Sequence, residues 1–453
     1  MKILIFIEHD VIIRHFVHSN VFSDISKKHE VTYIFPEPGY KRVTIDVSKL
    51  NLSCPYKHLE VHQRRLSIWK RLFQVDLLRP RRDKLFKSLR KLHKEMIGPK
   101  AAIFYSILSL PLIYEIFRSY SFLKIKFLPN LKFNNLIEQE KPDLVIHPSV
   151  LEGAYINDLI SITKEMNIPS MVIMNSWDNP CTKRSMVGTP DWLLVWGQQT
   201  WQHAVDYVGM KPRNIIKFGA AQFDVYRGKP RFDRRKFCDV HDIDQDSKII
   251  LYAGSSKETD EFSHLVLIEE AIKKGELGNS VVVYRPHPWG RGGKDGHRIL
   301  DNKWQFIRIE STMKKYLESI RIGDTSMTFP DYRDTHDTLS SVDVLVSPLS
   351  TIILEGALHG KPSLCFLPIE ESEARHFQLV LPLKHFEDMF NMNEFPVAKG
   401  HDELVAGIQD ILLFSEDKKY LKDLKNSCKH FVESHSKSFS KRFTELCESI
   451  VYQ

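Results

Sequence analysis

Short apolar runs separated by longer amphipathic stretches set the pattern from the start of the chain. "KILIFIE" (2–8), "EVTYIF" (30–35), "PDLVIHPS" (142–149), "PSMVIMNS" (169–176), "DWLLVWG" (191–197) and "NIIKFGA" (214–220) are too short for helices and read as buried strands. Helix-like segments lie between them, among them Val21–Lys27 and "GAYINDLISITKEMN" (153–167). The pattern restarts with "KIILYAGSS" (248–256), "SVVVYRPHP" (280–288), "WQFIRIE" (304–310), "SMTFP" (326–330), "VDVLVSP" (342–348) and "PSLCFLP" (362–368). Strands that alternate with helices predict parallel sheets. The expected class is therefore α/β, with two Rossmann-like domains facing a central cleft.

The polar stretch 222–247 reads as a linker between an N-terminal domain over 1–221 and a C-terminal domain over 248–430. Residues 431–453 read as a final helix, free to cross back to the first domain. "DIDQD" (242–246) invites comparison with a calcium loop, but Ser247 and Ala253 stand where that loop needs glycine and glutamate.

Composition sharpens this picture in three places. At 453 residues and 42% hydrophobic, the chain supplies two cores and is too long for one. Its six cysteines lie far apart with no CxxC pair, which fits a reducing cytosol and neither a disulfide framework nor a zinc site. The opening apolar run of five residues leads straight into Glu8 and Asp10, so it reads as a strand and not a signal peptide.

The net charge of +7 is local. Between Lys57 and Lys100 fourteen Lys/Arg face four Asp/Glu, a patch of +10 that leaves the remainder at −3. The patch runs into fourteen mostly apolar residues, Ala101–Tyr114, with a proline inside. A spanning helix needs about 20 apolar residues. The segment 57–120, inside an insertion over 57–135, suits an anionic membrane surface, with Trp69 and Phe73 among the cations. The alternative is a basic amphipathic helix pair packed on its own domain. No nucleic-acid motif accompanies the charge.

Candidate chemistry gathers at strand ends, where ligands bind in open α/β sheets. Ser255 and Ser256 sit in "AGSSKET", whose small residues offer backbone N–H groups. Arg285 and His287 sit in "RPHPWGRGGK", where prolines fix the backbone on both sides of the histidine. "SPLSTIILEGALHGKP" starts a helix near Ser350, an anion site by its free N–H groups, with Thr351, Glu355 and His359 on one face. A phosphate site beside a carboxylate for sugar hydroxyls suits a nucleotide. In the first half, Glu8, His9 and Asp10 follow one strand, and Trp177 and Asp178 follow another.

A two-Rossmann chain with "RPHP" and then "SPLSTIILEGALHGKP" resembles the GT-B glycosyltransferases, in particular the branch that builds bacterial capsules and other surface polysaccharides. Kdo transferases and CDP-glycerol glycerophosphotransferases carry a similar Arg-x-His-Pro element. "NSWDNPCTK" (175–183) and "KFGAAQFD" (217–224) are similar to elements of such enzymes, though Ala221 replaces their usual proline. The resemblance implies a nucleotide-sugar donor on the second domain, with Arg285, His287, Ser350 and Thr351 at phosphates and Glu355 at the ribose; Ser255 and Ser256 join the donor-binding set by their place at a strand end. It implies a glycan or lipid-linked acceptor on the first domain, contacted by His9 and Trp177, with Asp178, Glu8 or Asp10 as general base. It further implies no metal or other cofactor; it does not cover the insertion over 57–135, whose patch and apolar run add the expectation of a cytoplasmic enzyme held peripherally at the inner membrane face, with no nucleic-acid partner. Transfer of an alditol phosphate from a CDP-alditol, and epimerisation of a nucleotide sugar, stay open beside it.

Overall fold

The computed structural model describes every residue except 44, 81–82, 150–152, 183–184, 256–258, 288–295, 322–330, 370–376 and 453. The chain divides into two units, Met1–Asp224 with Val432–Gln453, and Val225–Phe431. Each is built on a parallel sheet, so the α/β class is the one the chain adopts.

The first unit holds β1 (Lys2–Phe6), β2 (Glu30–Pro36), β3 (Tyr56–Leu59), β4 (Leu144–Ser149), β5 (Ser170–Met174), β6 (Trp192–Val195) and β7 (Ile215–Lys217). Their order is β3-β2-β1-β4-β5-β6-β7, and all pairs are parallel. Helices cover both faces of such a sheet, so central strands need apolar residues on both sides. Ile3, Leu4, Ile5 and Phe6 of β1 and Leu144, Val145 and Ile146 of β4 are accordingly shut off from solvent. Strand order reverses between β1 and β4, where Ile5 pairs with Ile146. The carboxyl ends beside that reversal are where a ligand crevice forms in open α/β sheets.

A buried polar knot helps to bolt the basic insertion to this unit. Arg65, on the helix Gln63–Leu77, directs Nε to Asp158 Oδ1 at 2.8 Å. Its Nη1 donates to the carbonyls of Ile125 (2.8 Å) and Leu128 (2.7 Å). Trp69 Nε1 (2.7 Å) and Asn130 Nδ2 (2.8 Å) also donate to the Asp158 carboxylate. Arg65, Trp69, Asn130 and Asp158 are all buried. Trp69 was expected at a membrane surface; its indole is instead spent inside the unit, because Asp158 needs the donor.

The second unit holds β8 (Lys248–Ala253), β9 (Ser280–Arg285), β10 (Ile307–Ile309), β11 (Val344–Ser347), β12 (Ser363–Leu367) and β13 (Val397–Lys399). The order among the described residues is β10-β9-β8-β11-β12-β13, again all parallel, with the reversal between β8 and β11. "SMTFP" lies outside the described residues. The stretch read as a linker is ordered structure: a 3₁₀ helix over Ala221–Arg227 and an α-helix over Arg234–His241. Arg234 ties it down through the carbonyls of Ser341 and Ser247 and the Asp343 carboxylate.

The helix Phe439–Val451 belongs to the first unit although it ends the chain. Ser438 caps it by accepting from Lys441 N–H, and Phe439, Phe443 and Cys447 line its inward stripe. The Phe443 ring lies 5.4 Å from Phe22, and Phe439 lies 4.9 Å from Phe218. Full burial of each phenylalanine stabilises by about 2–3 kcal/mol. Ser440 Oγ accepts from Asp24 N–H at 2.9 Å and fixes the register of the contact.

Candidate functional site

In the second unit, most of the candidate donor-side residues stand at the carboxyl ends of three adjacent strands. Arg285 closes β9 in register with Ala253 of β8, and its carbonyl accepts from Gly254 N–H at 2.9 Å. The guanidinium is buried, 8% exposed. Its Nη2 donates to Thr335 Oγ1 at 3.0 Å, and its Nε stands 3.9 Å from Glu310 Oε2 without a hydrogen-bond partner. Glu310 is occupied elsewhere: it accepts from Thr312 N–H and Oγ1 and from Met313 N–H, capping the helix Ser311–Arg321. A buried cation with an unused donor at a strand end is equipped to meet an anion. His287 follows two residues later and is half-buried, while Ser256 lies outside the described residues.

Ser350 and Thr351 follow β11 and are half-buried. The helix they lead into runs Ile352–Leu358, and Thr351, its N-cap, makes no side-chain capping bond. Ser255 departs from expectation. Its backbone N–H donates to Glu261 Oε1 at 2.8 Å, so it is not free for a phosphate. Glu261 is a buried acid that also accepts from Thr259 Oγ1 and Tyr284 Oη, and burial pushes its carboxyl upward. The glycine in "AGSS" is demanded here, since a Cβ on Gly254 would lie 2.6 Å from the Glu261 carboxylate.

Glu355 is 8% exposed and accepts from the Tyr226 hydroxyl. A ribose reaching this carboxylate has to share it with, or displace, that phenol. Behind it runs a histidine chain. His359 Nδ1 faces Glu355 O at 2.7 Å, His359 Nε2 faces His336 Nδ1 at 2.8 Å, and His336 Nε2 faces Gly228 O at 3.1 Å. Both ends of that chain are carbonyl acceptors, and two neutral rings carry two N–H groups between them, enough for two of the three contacts. Burial, opposed by the hydrogen bond to Glu355 O and helped by His336 and Lys361, pushes His359 from an ordinary 6.5 down to about 4.

Between those values the unfolded chain binds a proton that the folded chain refuses. The contribution of His359 is therefore complete above about pH 6.5 and is lost as pH falls towards 4. It amounts to at most about 3 kcal/mol. Urea midpoints at pH 7 and pH 4.5 should fall further apart in the wild type than in His359→Gln. Equal differences would refute the assignment.

In the first unit, the candidate acceptor-side residues follow β1 and β5. Glu8 was one of three candidate bases, and the structure gives it a different task. It is 3% exposed, with Oε1 2.5 Å from His147 Nε2 and Oε2 accepting from Ala154 N–H (2.5 Å) and Tyr155 N–H (3.2 Å). Both oxygens are engaged, so Glu8 anchors the loop after β4. A Cβ on Gly153 would stand 1.8 Å from Glu8 Oε1, which is why that loop carries glycine. His9 Nδ1 accepts from Val11 N–H at 3.1 Å as a helix cap. Asp10 is buried and accepts from Ile45 N–H at 3.3 Å.

Trp177 is 2% exposed, so its ring offers no open face for a sugar to stack on. Asp178 is 7% exposed; its Oδ1 accepts from Asn179 Nδ2 at 3.3 Å, and its carbonyl accepts from Thr182. Asp10 and Asp178 are the carboxylates left as candidate bases.

Sequence reading missed the polar layer beneath these residues. His15, His147, Asn175, Asn179 and Gln222 are buried together with Glu8 and Asp178. Asn175 Nδ2 lies 3.4 Å from His15 Nδ1, and Gln222 Nε2 donates to Asn175 O at 3.2 Å. His147 Nδ1, Asn175 Oδ1 and Gln222 Oε1 have no hydrogen-bond partner. Burial drives His15 well below its ordinary value, so it is neutral. The available signal was the histidine inside the apolar run of β4, a polar residue on a strand buried on both faces. Among the described residues, no group of three or more His, Cys, Asp or Glu is arranged to hold a metal ion.

No family model matches the chain. Over 224 residues, 48% of this chain, it is 19% identical to the teichoic acid poly(ribitol-phosphate) polymerase of Bacillus spizizenii. The matched stretch covers 32% of that longer protein. A solved structure of a putative UDP-N-acetylglucosamine 2-epimerase from Listeria monocytogenes is similar across 100% of this chain and 96% of its own, with TM-score 0.55 and 11% identity. The UDP-GlcNAc 2-epimerase from Methanocaldococcus jannaschii is similar over 99% of both chains, with TM-score 0.54 and 12% identity. The wall teichoic acid polymerase TagF is similar over 100% of this chain and 89% of its own, with TM-score 0.50 and 11% identity. Identities this low carry the fold and not the reaction. With the two parallel sheets described above, they establish that this chain has the α/β, GT-B-like fold shared by those transferases and epimerases.

Proposed function

We propose that this chain is a GT-B-type glycosyltransferase, which moves a sugar from a nucleotide-activated donor to a glycan or lipid-linked acceptor in bacterial surface polysaccharide synthesis. The observation that carries the reading is Arg285, a buried guanidinium with an unused donor at the carboxyl end of β9. It shares that end of the sheet with the hydroxyls of Ser350 and Thr351 after β11. Departure of a nucleotide leaves negative charge on phosphate, and preorganised cations and hydroxyls stabilise it without rearranging. His287 and Glu355 complete the donor side, and Asp178 or Asp10 takes the acceptor proton. The enzyme works at the cytoplasmic face of the membrane.

A second reading has one observation in its favour. The curated relative is a polymerase of ribitol phosphate, which suits transfer of an alditol phosphate from a CDP-alditol. One experiment separates these readings from epimerisation. The full chain is incubated with UDP-, GDP- and CMP-sugars and with CDP-glycerol and CDP-ribitol, each labelled, with and without a lipid-linked acceptor. Sugar label entering the acceptor is the expected result. Alditol label in the acceptor moves the assignment to the second reading, and isomerisation of a UDP-sugar without acceptor makes the chain an epimerase. Failure of every donor to bind or turn over ends the transferase proposal.

A further inference from the structure

The basic insertion exposes apolar surface that nothing in the first unit covers. The helices Pro99–Leu108 and Pro111–Lys126 meet at 93°. Each has one face fastened inward. Tyr114, Ser121 and Ile125 are buried, Tyr114 Oη donates to Asp76 Oδ1 at 2.9 Å, and the Arg79 guanidinium lies 3.9 Å from the Tyr114 ring centroid. The opposite faces are as apolar as the fastened ones. Leu112 is 83% exposed, Ile116 72%, Phe127 77%, Ile103 65%, Phe104 58% and Ile107 51%. An exposed contiguous apolar patch of this kind marks an interaction surface.

Charge identifies the partner. From Lys87 to Lys126 eight Lys/Arg stand against two Asp/Glu, a net +6. Lys87, Lys91, Lys94, Lys100, Lys124 and Lys126 are exposed. Glu115 is neutralised by Arg79 at 3.6 Å and Arg118 at 3.7 Å. Apolar side chains bordered by cations match the acyl region and headgroups of an anionic leaflet. Among the described residues no single helix is long and apolar enough to cross a membrane. Helices of 10 and 16 residues are about 15 and 24 Å long, short of a hydrocarbon core of about 30 Å.

We infer that Pro99–Leu108 and Pro111–Lys126 form a bent wedge that seats in one leaflet of an anionic bilayer, with the flanking lysines at the headgroups. The wedge narrows the surface expected from sequence. The helix Gln63–Leu77 serves as its mount, through Arg65 and Trp69, and does not meet lipid with those residues. The inference holds whichever group the enzyme transfers, because it rests on this surface alone.

Flotation of the full chain with vesicles tests it. Phosphatidylcholine vesicles containing about 30% phosphatidylglycerol should carry the protein, and pure phosphatidylcholine vesicles should carry at least about tenfold less. Leu112→Glu/Ile116→Glu should lower partitioning onto the anionic vesicles by about tenfold or more. Both positions are so exposed that the melting temperature should not move, which controls for misfolding. In Phe104→Trp, the new indole should shift blue on binding and be quenched by lipids brominated on their acyl chains. Three results would overturn the wedge: a wild-type chain that does not float, a double variant that floats like wild type, or an unquenched Trp. A wild-type dimer that the double variant converts to monomer would also overturn it, by showing that a second copy covers this face.

Discussion

Arg285→Ala should lower kcat/KM for the nucleotide-activated donor by about 10²–10³, the loss seen when one preorganised stabiliser of developing charge is removed. The effect is large because the guanidinium is buried, where a charge–phosphate contact is poorly screened. Arg285→Lys keeps the charge and loses the planar fork, so it should recover only part of the rate. Folding should survive both changes. Glu310, the carboxylate beside Arg285, is already held by the first N–H groups of its own helix and does not depend on the arginine. Steady-state kinetics on all three proteins, with melting curves alongside, check this. Arg285→Ala within about threefold of wild type would remove the phosphate role.

The largest effect on stability belongs to Asp158. Its carboxylate takes hydrogen bonds from Arg65, Trp69 and Asn130, all buried. Asp158→Ala strands the Arg65 charge in a low-dielectric setting and leaves two further donors unmet. Breaking one side of a buried pair costs about 3–5 kcal/mol, against a total stability of about 5–15 kcal/mol for a domain. A fall in melting temperature on the order of 10 °C follows. The two carbonyl contacts of Arg65, to Ile125 and Leu128, persist and soften the loss. Arg65→Met/Asp158→Leu removes both charges and should cost less than the single change, since no ion is left without its partner. Limited proteolysis should find the insertion between 57 and 135 opened in Asp158→Ala before either sheet unfolds. If the double variant proves less stable than the single, the pair contributes more than its desolvation costs and this account is wrong.

The sheets were largely legible because a strand buried on both faces is written as an unbroken apolar run, as in "ILIF" and "VVVY". The strands that escaped show the limit. β3, "YKHL", is an edge strand with three of its four residues exposed, so its side chains carry no burial signal. β13, "VAK", is three residues long and was lost inside a polar neighbourhood. Which residues stand at strand ends was legible too, because it follows from the strands themselves. Which groups are already spent was not legible, since it turns on partners distant in sequence. Glu8 and Ala154 are 146 positions apart, and Tyr226 and Glu355 are 129 apart. Hydrophobic periodicity contains nothing about such pairings. The basic patch illustrates the same point: its cations were countable, but only the fold separates Arg65, an internal bolt, from the exposed lysines.

The helix Phe439–Val451 gives the chain an order of assembly during synthesis. β7 ends at Lys217, while the phenylalanines that close the first core begin at Phe439, 222 positions later. At about 5–20 residues per second, a ribosome needs roughly 10–45 s to cross that interval. Throughout it the pocket around Phe22 and Phe218 lacks its covering rings, whereas Val225–Phe431 leaves the exit tunnel with its own core entire. The part of the protein translated first is thus the last to become fully folded, and a nascent chain halted before Phe439 should be a client of chaperones.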